Sequence, residues 1–423
     1  MTPGLDASDS LAVWLEKILQ LHPSEIDLGL TRLRRVAMRM GLTALPDSQV
    51  ITVAGTNGKG TTCALMEQIL MADGHRVGVF SSPHIERYNE RVRIDGQELP
   101  DQDHVDAFTA IAAAQQDTSL TFFEYSALAA LWLFARERPD VVLLEVGLGG
   151  RLDATNLIDA DIAVITTVDL DHQEYLGDTR EKVGREKAGI MRAGRPVICG
   201  DPNPPESVAT CAAELGAILL QRGEAFELVA DHDQWTYQSP GYRFGALPLP
   251  AIPLDNAATA ITALRQLEGG VSETAIRRGL SQVRVPGRLE VLSHAPDLVL
   301  DVAHNPQAGA YLAQWLKRQS YDGIHAVCGM LADKDVKATL APLGELPLRW
   351  YLADLNVPRG APASRLLFAL NDAPGPVATP QCFDSVSAAL SEALSRARHG
   401  ELVILFGSFY TVAEAKAYWR TRS

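Results

Sequence analysis

The sequence predicts an α/β protein of two domains, a parallel-sheet domain carrying a phosphate-binding loop followed by a smaller α/β domain. Three observations carry that prediction. From Val50 onward, short apolar runs alternate with helical patterns, and such alternation builds a parallel sheet. A glycine-rich turn, Gly55-Thr56-Asn57-Gly58-Lys59-Gly60-Thr61-Thr62, joins the first of these strands to its helix. At Val285-Pro286-Gly287-Arg288 a proline and a glycine end the pattern and a fresh strand–helix series begins, the mark of a linker. A length of 423 residues favours two or three domains over one core. The expected division is 1–286 and 287–423.

Taken in order, Leu11, Trp14, Leu15, Ile18 and Leu19 recur at helical spacing, so Ser10 to Leu21 reads as an amphipathic helix packed on the main domain. Asp27-Leu28-Gly29-Leu30 opens a second helix. Val50 to Ala54 is a strand, Thr61 to Asp73 a helix closed by Gly74, and Arg76 to Phe80 a strand. Ala127 to Ala135 is the longest apolar run; it falls well short of the ~20 residues of a membrane span and reads as a buried helix. Val141 to Val146 and Ile162 to Thr167 are apolar on both faces, as strands inside a parallel sheet are. Phe226 to Pro253 holds short strands broken by Pro and Gly, a peripheral hairpin region. Helices follow at Asn256 to Leu267 and Ser272 to Gln282. In the second domain, strands at Leu298 to Val302, His325 to Met330, Leu348 to Ala353 and Leu402 to Phe406 alternate with helices near Ala308, Val336, Ser364, Ser385 and Thr411.

Composition excludes several classes. With 38 basic against 52 acidic residues the formal net charge is −14, which argues against a nucleic-acid partner and requires an anionic substrate to be met by local cations. Met1 to Ser10 lacks the basic and apolar regions of a secretory leader. Cys63, Cys199, Cys211, Cys328 and Cys382 are scattered and never spaced as a pair, the pattern of reduced, buried cysteines in a cytoplasmic protein. A cytoplasmic monomer with no membrane partner is the expectation.

The glycine-rich turn has a physical logic. Its glycines let the backbone aim several N–H groups at one anion, and the helix that follows presents the positive end of its dipole. Lys59 adds a mobile charge and Thr61 a hydroxyl for magnesium. Gly60 separates the lysine from the hydroxyl residue, unlike the common kinase and GTPase loop. Other polar groups fall at carboxyl ends of strands, where parallel sheets bind ligands. Ser81-Ser82-Pro83-His84 reads equally as a source of magnesium-binding hydroxyls and as a turn cap. Glu145, inside an apolar strand, is costly to bury unless paired or metal-bound. Gly147 to Asn156, with Arg151, Asp153 and Asn156, exceeds what a connector needs. Asp169-Leu170-Asp171-His172 offers carboxylates beside an imidazole. Lys187 alone reads as a surface lysine, and Phe122 and Phe123 alone read as core.

Together Gly55 to Thr61, Ser81 to His84, Glu145 to Asn156, Asp171-His172, Arg185-Glu186-Lys187-Ala188-Gly189, Asp301-Val302-Ala303-His304-Asn305-Pro306 and Gly407-Ser408-Phe409 resemble folylpolyglutamate synthase, specifically its bacterial bifunctional dihydrofolate synthase form, within the Mur ligases. The resemblance spans nearly the whole chain. It implies a P-loop ATP-binding domain of the Mur-ligase central type and a smaller Rossmann-like α/β C-terminal domain, with the active site between them. It implies ATP on Asn57, Gly58, Lys59, Gly60 and Thr61, with Asn256, Arg288 and Asp301 also reaching the nucleotide. Two magnesium ions are implied, with Ser82, Glu145 and His172 as ligands. Lys187 matches the family's carbamylated lysine, and Lys59, Lys187 and His304 are the catalytic candidates. His304 suits either the incoming glutamate or the orientation of Asp301. For the pterin, the resemblance implies Asp27, Leu28, Gly29, Leu30, Thr121, Phe122, Phe123, Glu124, Leu152, Asp153 and Ala154, where aromatic rings suit a flat heterocycle.

The implied activity is ATP-dependent addition of L-glutamate to 7,8-dihydropteroate and to reduced folates, all small-molecule substrates, through an acyl phosphate. Monofunctional folylpolyglutamate synthases share nearly all these motifs; Thr121 to Glu124 favours both activities. A peptidoglycan-type Mur ligase is the nearest alternative, and no room precedes the loop for its N-terminal substrate domain. A nucleotide switch without ligation would not need the second-domain motifs.

Overall fold

The first strand, β1 (Gln49–Ala54), is buried along nearly its whole length, and its neighbours explain why. The computed structural model describes residues 8–231, 233–371 and 379–422; residues 1–7, most of the segment read above for a leader, lie outside them. The chain forms two compact units, Met1–Val283 and Arg284–Ser423.

In the first unit α1 (Leu11–Ile18) and α2 (Thr31–Met40) precede β1, and α3 (Lys59–Ala72) and β2 (Val77–Phe80) follow it. Next come β3 (Val92–Ile94), β4 (Gln97–Glu98), α4 (Asp101–Gln115), α5 (Phe122–Glu137), β5 (Val141–Glu145) and β6 (Ile162–Ile165). The unit continues through α6 (Gln173–Leu176), α7 (Arg180–Ala188), β7 (Pro196–Cys199), α8 (Glu206–Leu215) and β8 (Ile218–Gln221). It closes with β9 (Glu227–Ala230), β10 (Gln234–Ser239), β11 (Tyr242–Pro248), α9 (Leu254–Leu264) and α10 (Glu273–Gln282). One sheet has the order β4-β3-β2-β5-β1-β6-β7-β8. Its strands run parallel except at the β3–β4 edge, where both pairings are antiparallel. β9, β10 and β11 form a separate antiparallel sheet. β1 lies between β5 and β6, so the glycine-rich turn leaves the middle of the sheet.

The second unit runs β12 (Glu290–His294), β13 (Asp297–Leu300), α11 (Pro306–Lys317), β14 (Ile324–Cys328), α12 (Val336–Gly344) and β15 (Leu348–Ala353). It ends with α13 (Ala363–Asn371), β16 (Gln381–Phe383), α14 (Val386–Arg396), β17 (Leu402–Phe406) and α15 (Phe409–Arg420). Its sheet, β12-β13-β17-β14-β15-β16, is parallel apart from β12.

Local chemistry sets these elements. Ser10 caps α1 by accepting from the Val13 amide, and Leu11, Trp14 and Ile18 bury one stripe. Thr121 and Glu124 form a reciprocal capping box on α5. That helix is buried on most of its surface, which accounts for its continuous apolar run.

Four expectations need correction. Asp27 to Leu30 does not open a helix: α2 begins at Thr31, after Leu30 as its N-cap residue, and the preceding segment is loop. α1 is shorter than Ser10 to Leu21, since Leu19 is exposed and leaves the apolar stripe. The first sheet is not wholly parallel, because β3 and β4 are too short to show alternation in sequence. Cys382 is exposed and Cys211 half-buried, so only Cys63, Cys199 and Cys328 match the buried pattern.

His104 on α4 is fully buried, edge-on to Tyr88 at 5.2 Å, and neither ring nitrogen has a hydrogen-bond partner. Burial lowers its pKa to about 4, with Arg136 acting the same way and Asp103 and Asp101 opposing. Between an unfolded value near 6.5 and that folded value the unfolded chain binds the extra proton, so stability falls as pH drops through this window. Wild type should lose roughly 2 kcal/mol more than His104→Leu between pH 7 and pH 5. Urea unfolding of both chains at the two pH values checks this; equal losses would contradict it.

Candidate active site

The loop after β1 is an anion cradle held shut by its neighbours. Gly58, the N-cap of α3, has φ +84, a left-handed conformation that favours glycine. A Cβ there would lie 2.6 Å from Asn256 Oδ1, so the position also depends on the missing side chain. Asn256 Nδ2 donates to Thr61 Oγ1 at 2.7 Å, and that hydroxyl donates to the Gly58 carbonyl at 3.0 Å. Lys59 Nζ donates to the Gly55 carbonyl at 2.8 Å. The segment after β6 pins the other side. Thr166 Oγ1 donates to the Asn57 carbonyl at 2.6 Å, and Thr56 Oγ1 donates to the Asp169 carbonyl at 2.9 Å. The start of α3 has neither a side-chain cap nor an acidic residue in its first turn, leaving its amides and dipole for an outside anion.

Glu145 ends β5 and is buried. A Cβ at Gly60 would sit 3.4 Å from Glu145 Oε1, an ordinary contact distance, so the carboxylate lies directly against this turn of the loop. Ser82 N–H donates to Glu145 Oε2 at 3.1 Å. The structure therefore brings together Gly60, Ser82 and Glu145. Beneath them Arg93 on β3 grips Glu67 of α3 at 2.8 and 3.3 Å, and donates to Ser81 Oγ and the Glu90 carbonyl at 3.1 Å each. Arg93 was not legible in sequence; the only signal is a basic residue between two apolar ones in Val92-Arg93-Ile94.

Lys187, on α7, is only 2% exposed. Burial, and after it the charge of Lys59, lower its pKa to about 7 against the opposing pull of Asp171 and Asp153. An amine in that state is substantially neutral near pH 7 and nucleophilic. His172 is held at φ +49, an unusual conformation for a non-glycine residue that often accompanies function. Its Nε2 lies 4.0 Å from Asp171 Oδ1. Among the described residues no cluster of three or more His, Cys, Asp or Glu side chains forms a metal site. The Glu145 carboxylate and the Ser82 hydroxyl are hard oxygen donors that suit magnesium, which keeps several waters and binds substrate phosphates rather than an all-protein cage; the His172 imidazole is a softer donor, of the type that suits zinc, copper or iron.

The segments implied for the pterin are also linked. Arg32, the second residue of α2, pairs with Asp27 Oδ2 at 2.6 Å, donates to the Asp27 carbonyl at 2.9 Å, and donates to Glu124 Oε1 at 3.1 Å. It thereby ties the loop of Asp27, Leu28, Gly29 and Leu30 to the start of α5, and sequence reading missed it. Phe122 lies under the Arg91 guanidinium at 5.2 Å; Phe123 packs on Phe80 at 5.8 Å. Both are half-buried against the core. Asp153 is buried with its carboxylate turned into its own loop, accepting from Leu148 N, Thr155 N and Thr155 Oγ1, which makes it an organiser of the Leu152 to Ala154 turn.

In the second unit Asp301 accepts from the Leu289 and Ala303 amides at 2.9 and 2.8 Å. Desolvation raises its pKa, while Arg288 and those amides oppose the rise. The Arg288 guanidinium lies over Phe409 at 5.3 Å and the His304 ring lies 6.2 Å from the same ring. His304 Nδ1 is 2.7 Å from the Val302 carbonyl. A carbonyl only accepts, so Nδ1 carries the proton and the neutral ring has its lone pair on Nε2.

Residues 53–201 match the Mur ligase middle domain and residues 287–409 the Mur ligase glutamate ligase domain. The chain is 49% identical over 409 residues to the dihydrofolate synthase/folylpolyglutamate synthase of Escherichia coli K12, covering 96% of this chain and 95% of that relative. It belongs to the dihydrofolate synthase/folylpolyglutamate synthase family. Family members of known structure superpose closely. E. coli FolC in complex with DHPP and ADP matches with TM-score 0.94 at 47% identity over 99% of both chains. A bifunctional folylpolyglutamate synthase/dihydrofolate synthase with Mn, AMPPNP and L-glutamate bound matches with TM-score 0.92 at 46% identity, covering 99% of this chain and 100% of that one.

Removing Arg93 would leave the Glu67 carboxylate buried without its partner. Arg93→Ala should cost about 3–5 kcal/mol of stability, and Arg93→Lys distinctly less. Urea midpoints of the three chains measure it, and an Arg93→Ala chain as stable as wild type would exclude the pairing as a support.

Proposed function

We propose that this chain is an ATP-dependent carboxylate–amine ligase that joins L-glutamate to 7,8-dihydropteroate and adds further L-glutamates to reduced folates. The observation that carries the reading is the meeting of the anion cradle with Glu145 at Gly60 and with the depressed amine of Lys187 beside Lys59. Relatives named for both synthase activities, and solved family members holding DHPP, ADP and L-glutamate, support it.

A carboxylate and an amine do not condense unaided in water. The substrate carboxylate first takes the γ-phosphoryl group of ATP: a carboxyl oxygen bonds to phosphorus as the bond to the β-phosphate oxygen breaks, giving an acyl phosphate and ADP. The glutamate amine then attacks the acyl carbon, phosphate leaves and the amine loses a proton. In this reading Asn57 to Thr61 cradle the phosphates, Asn256, Arg288 and Asp301 contact the nucleotide, and Lys59 stabilises charge developing at the transferred group. Ser82, Glu145 and His172 would hold magnesium, which when bound would neutralise phosphate charge. Lys187, carbamylated, becomes an anionic group suited to position a second ion. The Nε2 lone pair of His304 is suited to take the proton of the incoming ammonium. Asp27 to Leu30, Thr121 to Glu124 and Leu152 to Ala154 hold the pterin. Free cysteines throughout the described residues fit a cytoplasmic protein, and we assign it as a monomer.

Lys59→Ala should abolish phosphate release that depends on glutamate; normal turnover in a phosphate-release assay would refute the assignment. The peptide containing Lys187 should carry the added mass of one CO2 when handled at neutral pH, and a bare lysine in fully active enzyme would count against carbamylation. Arg32→Ala should raise KM for the pterin acceptor about tenfold with KM for ATP unchanged, and steady-state kinetics with each substrate varied in turn decides.

A further inference from the structure

The second sheet carries another polar cluster at the end opposite Asp301 and His304. Asp301 follows the carboxyl end of β13, whereas this cluster gathers at the amino ends of β14, β15 and β17. With β14 and β17 five residues long, the two ends are ~17 Å apart. A cavity of about 740 Å³ opens there, a volume within the range of small-molecule sites.

Its floor is built from buried polar side chains. His325, Tyr351 and Glu401 are 0%, 1% and 7% exposed. His325 Nδ1 lies 2.9 Å from the Tyr351 hydroxyl, and Nε2 3.2 Å from Glu401 Oε2. Glu401 Oε2 also accepts from the Arg398 amide at 2.8 Å, and Oε1 from Arg349 Nη1 at 2.9 Å. The Arg398 amide, His325 and Arg349 together hold the Glu401 carboxyl down at about 2 against its burial. Such a network is expensive at the end of a sheet whose strands are otherwise apolar, and it adds little stability over an apolar plug.

Closing the sheet end would account for Glu401, His325 and Arg349. It does not account for Arg398, which lines the same cavity beside Arg396, itself paired with Glu392 one helical turn away at 2.6 Å. Arg349 and Arg396 both act electrostatically on His325 and on Tyr351, so their charges converge on this floor. Three arginines line the cavity against Glu401 and against Glu392, which pairs with Arg396, leaving one positive charge in excess in a chain of net charge −14. The local sign is therefore opposite to the global one.

We propose that this cavity is a second anion site, separate from the ligation site, that binds a small phosphate-bearing anion of pyrophosphate size or larger. Planar guanidinium forks match phosphate oxygens in geometry and donor number. Tyr351 and Trp350 are buried and offer no open ring face for a base, so recognition rests on the phosphate groups.

The test is isothermal titration of the full-length chain with inorganic pyrophosphate in magnesium-free buffer. Wild type should bind at two sites, one in the loop after β1 and one here. Lys59→Ala should keep one site, and adding Arg396→Ala and Arg398→Ala to it should weaken that remaining site at least tenfold. Citrate, a carboxylate anion of similar charge, should bind the Lys59→Ala chain at least tenfold more weakly than pyrophosphate. The Arg398 side chain makes no hydrogen bond or ion pair among the described residues, so Arg398→Gln should fold normally and alone weaken binding about threefold. Unchanged pyrophosphate affinity in the arginine variants, no second site at millimolar pyrophosphate, or equal binding of citrate would each overturn the proposal.

Discussion

Glu145 is the constraint on which the site depends. A carboxylate buried at the end of a central parallel strand is costly without compensation, and this one lies against the loop offered to phosphate, in contact distance of Gly60. Two anions in that space repel each other unless a cation sits between them. The same geometry explains why the neighbouring amide of Ser82 points at the carboxylate, and close by the half-buried Arg93 pairs with the buried Glu67. The ion pair keeps the floor of the site neutral while fixing Ser81, and with it the turn that carries Ser82.

The lysines divide the cationic work. Lys59 is fastened to the loop carbonyls, a charge that can turn to an anion displacing those bonds. Lys187 is sealed in, and its depressed pKa leaves a large share of it a neutral nucleophile near pH 7. At the start of α2 Arg32 does for Asp27 and Glu124 what Arg93 does for Glu67 and Ser81. In each case a guanidinium spans two elements, because its planar fork donates to several acceptors at once.

Much of this was legible in the sequence for physical reasons that can be named. β5 and β6 announced themselves because strands buried on both faces are continuously apolar, and the loop because only glycine tolerates Gly58's backbone and its contact with Asn256. The missed features depend on distance. Arg93 finds Glu67 across 26 residues and Arg32 finds Glu124 across 92, and no local pattern encodes such pairs. β12 is largely open to solvent and β4 is two residues long, so neither leaves an apolar signature. Lys187 read alone as a surface lysine, since helical sequence does not reveal which face is sealed; resemblance to the family supplied what periodicity did not. The cluster at the far end of the second sheet left no signal, its members being single polar residues at strand starts.

The most direct test of the account follows ADP formation with ATP and L-glutamate present, comparing no acceptor, 7,8-dihydropteroate and tetrahydrofolate, with product masses read in parallel. The account predicts ADP formation that requires an acceptor, occurs with both, and yields products heavier by one glutamate residue. ADP formation at the same rate without an acceptor, or no mass gain in either pterin, would contradict it.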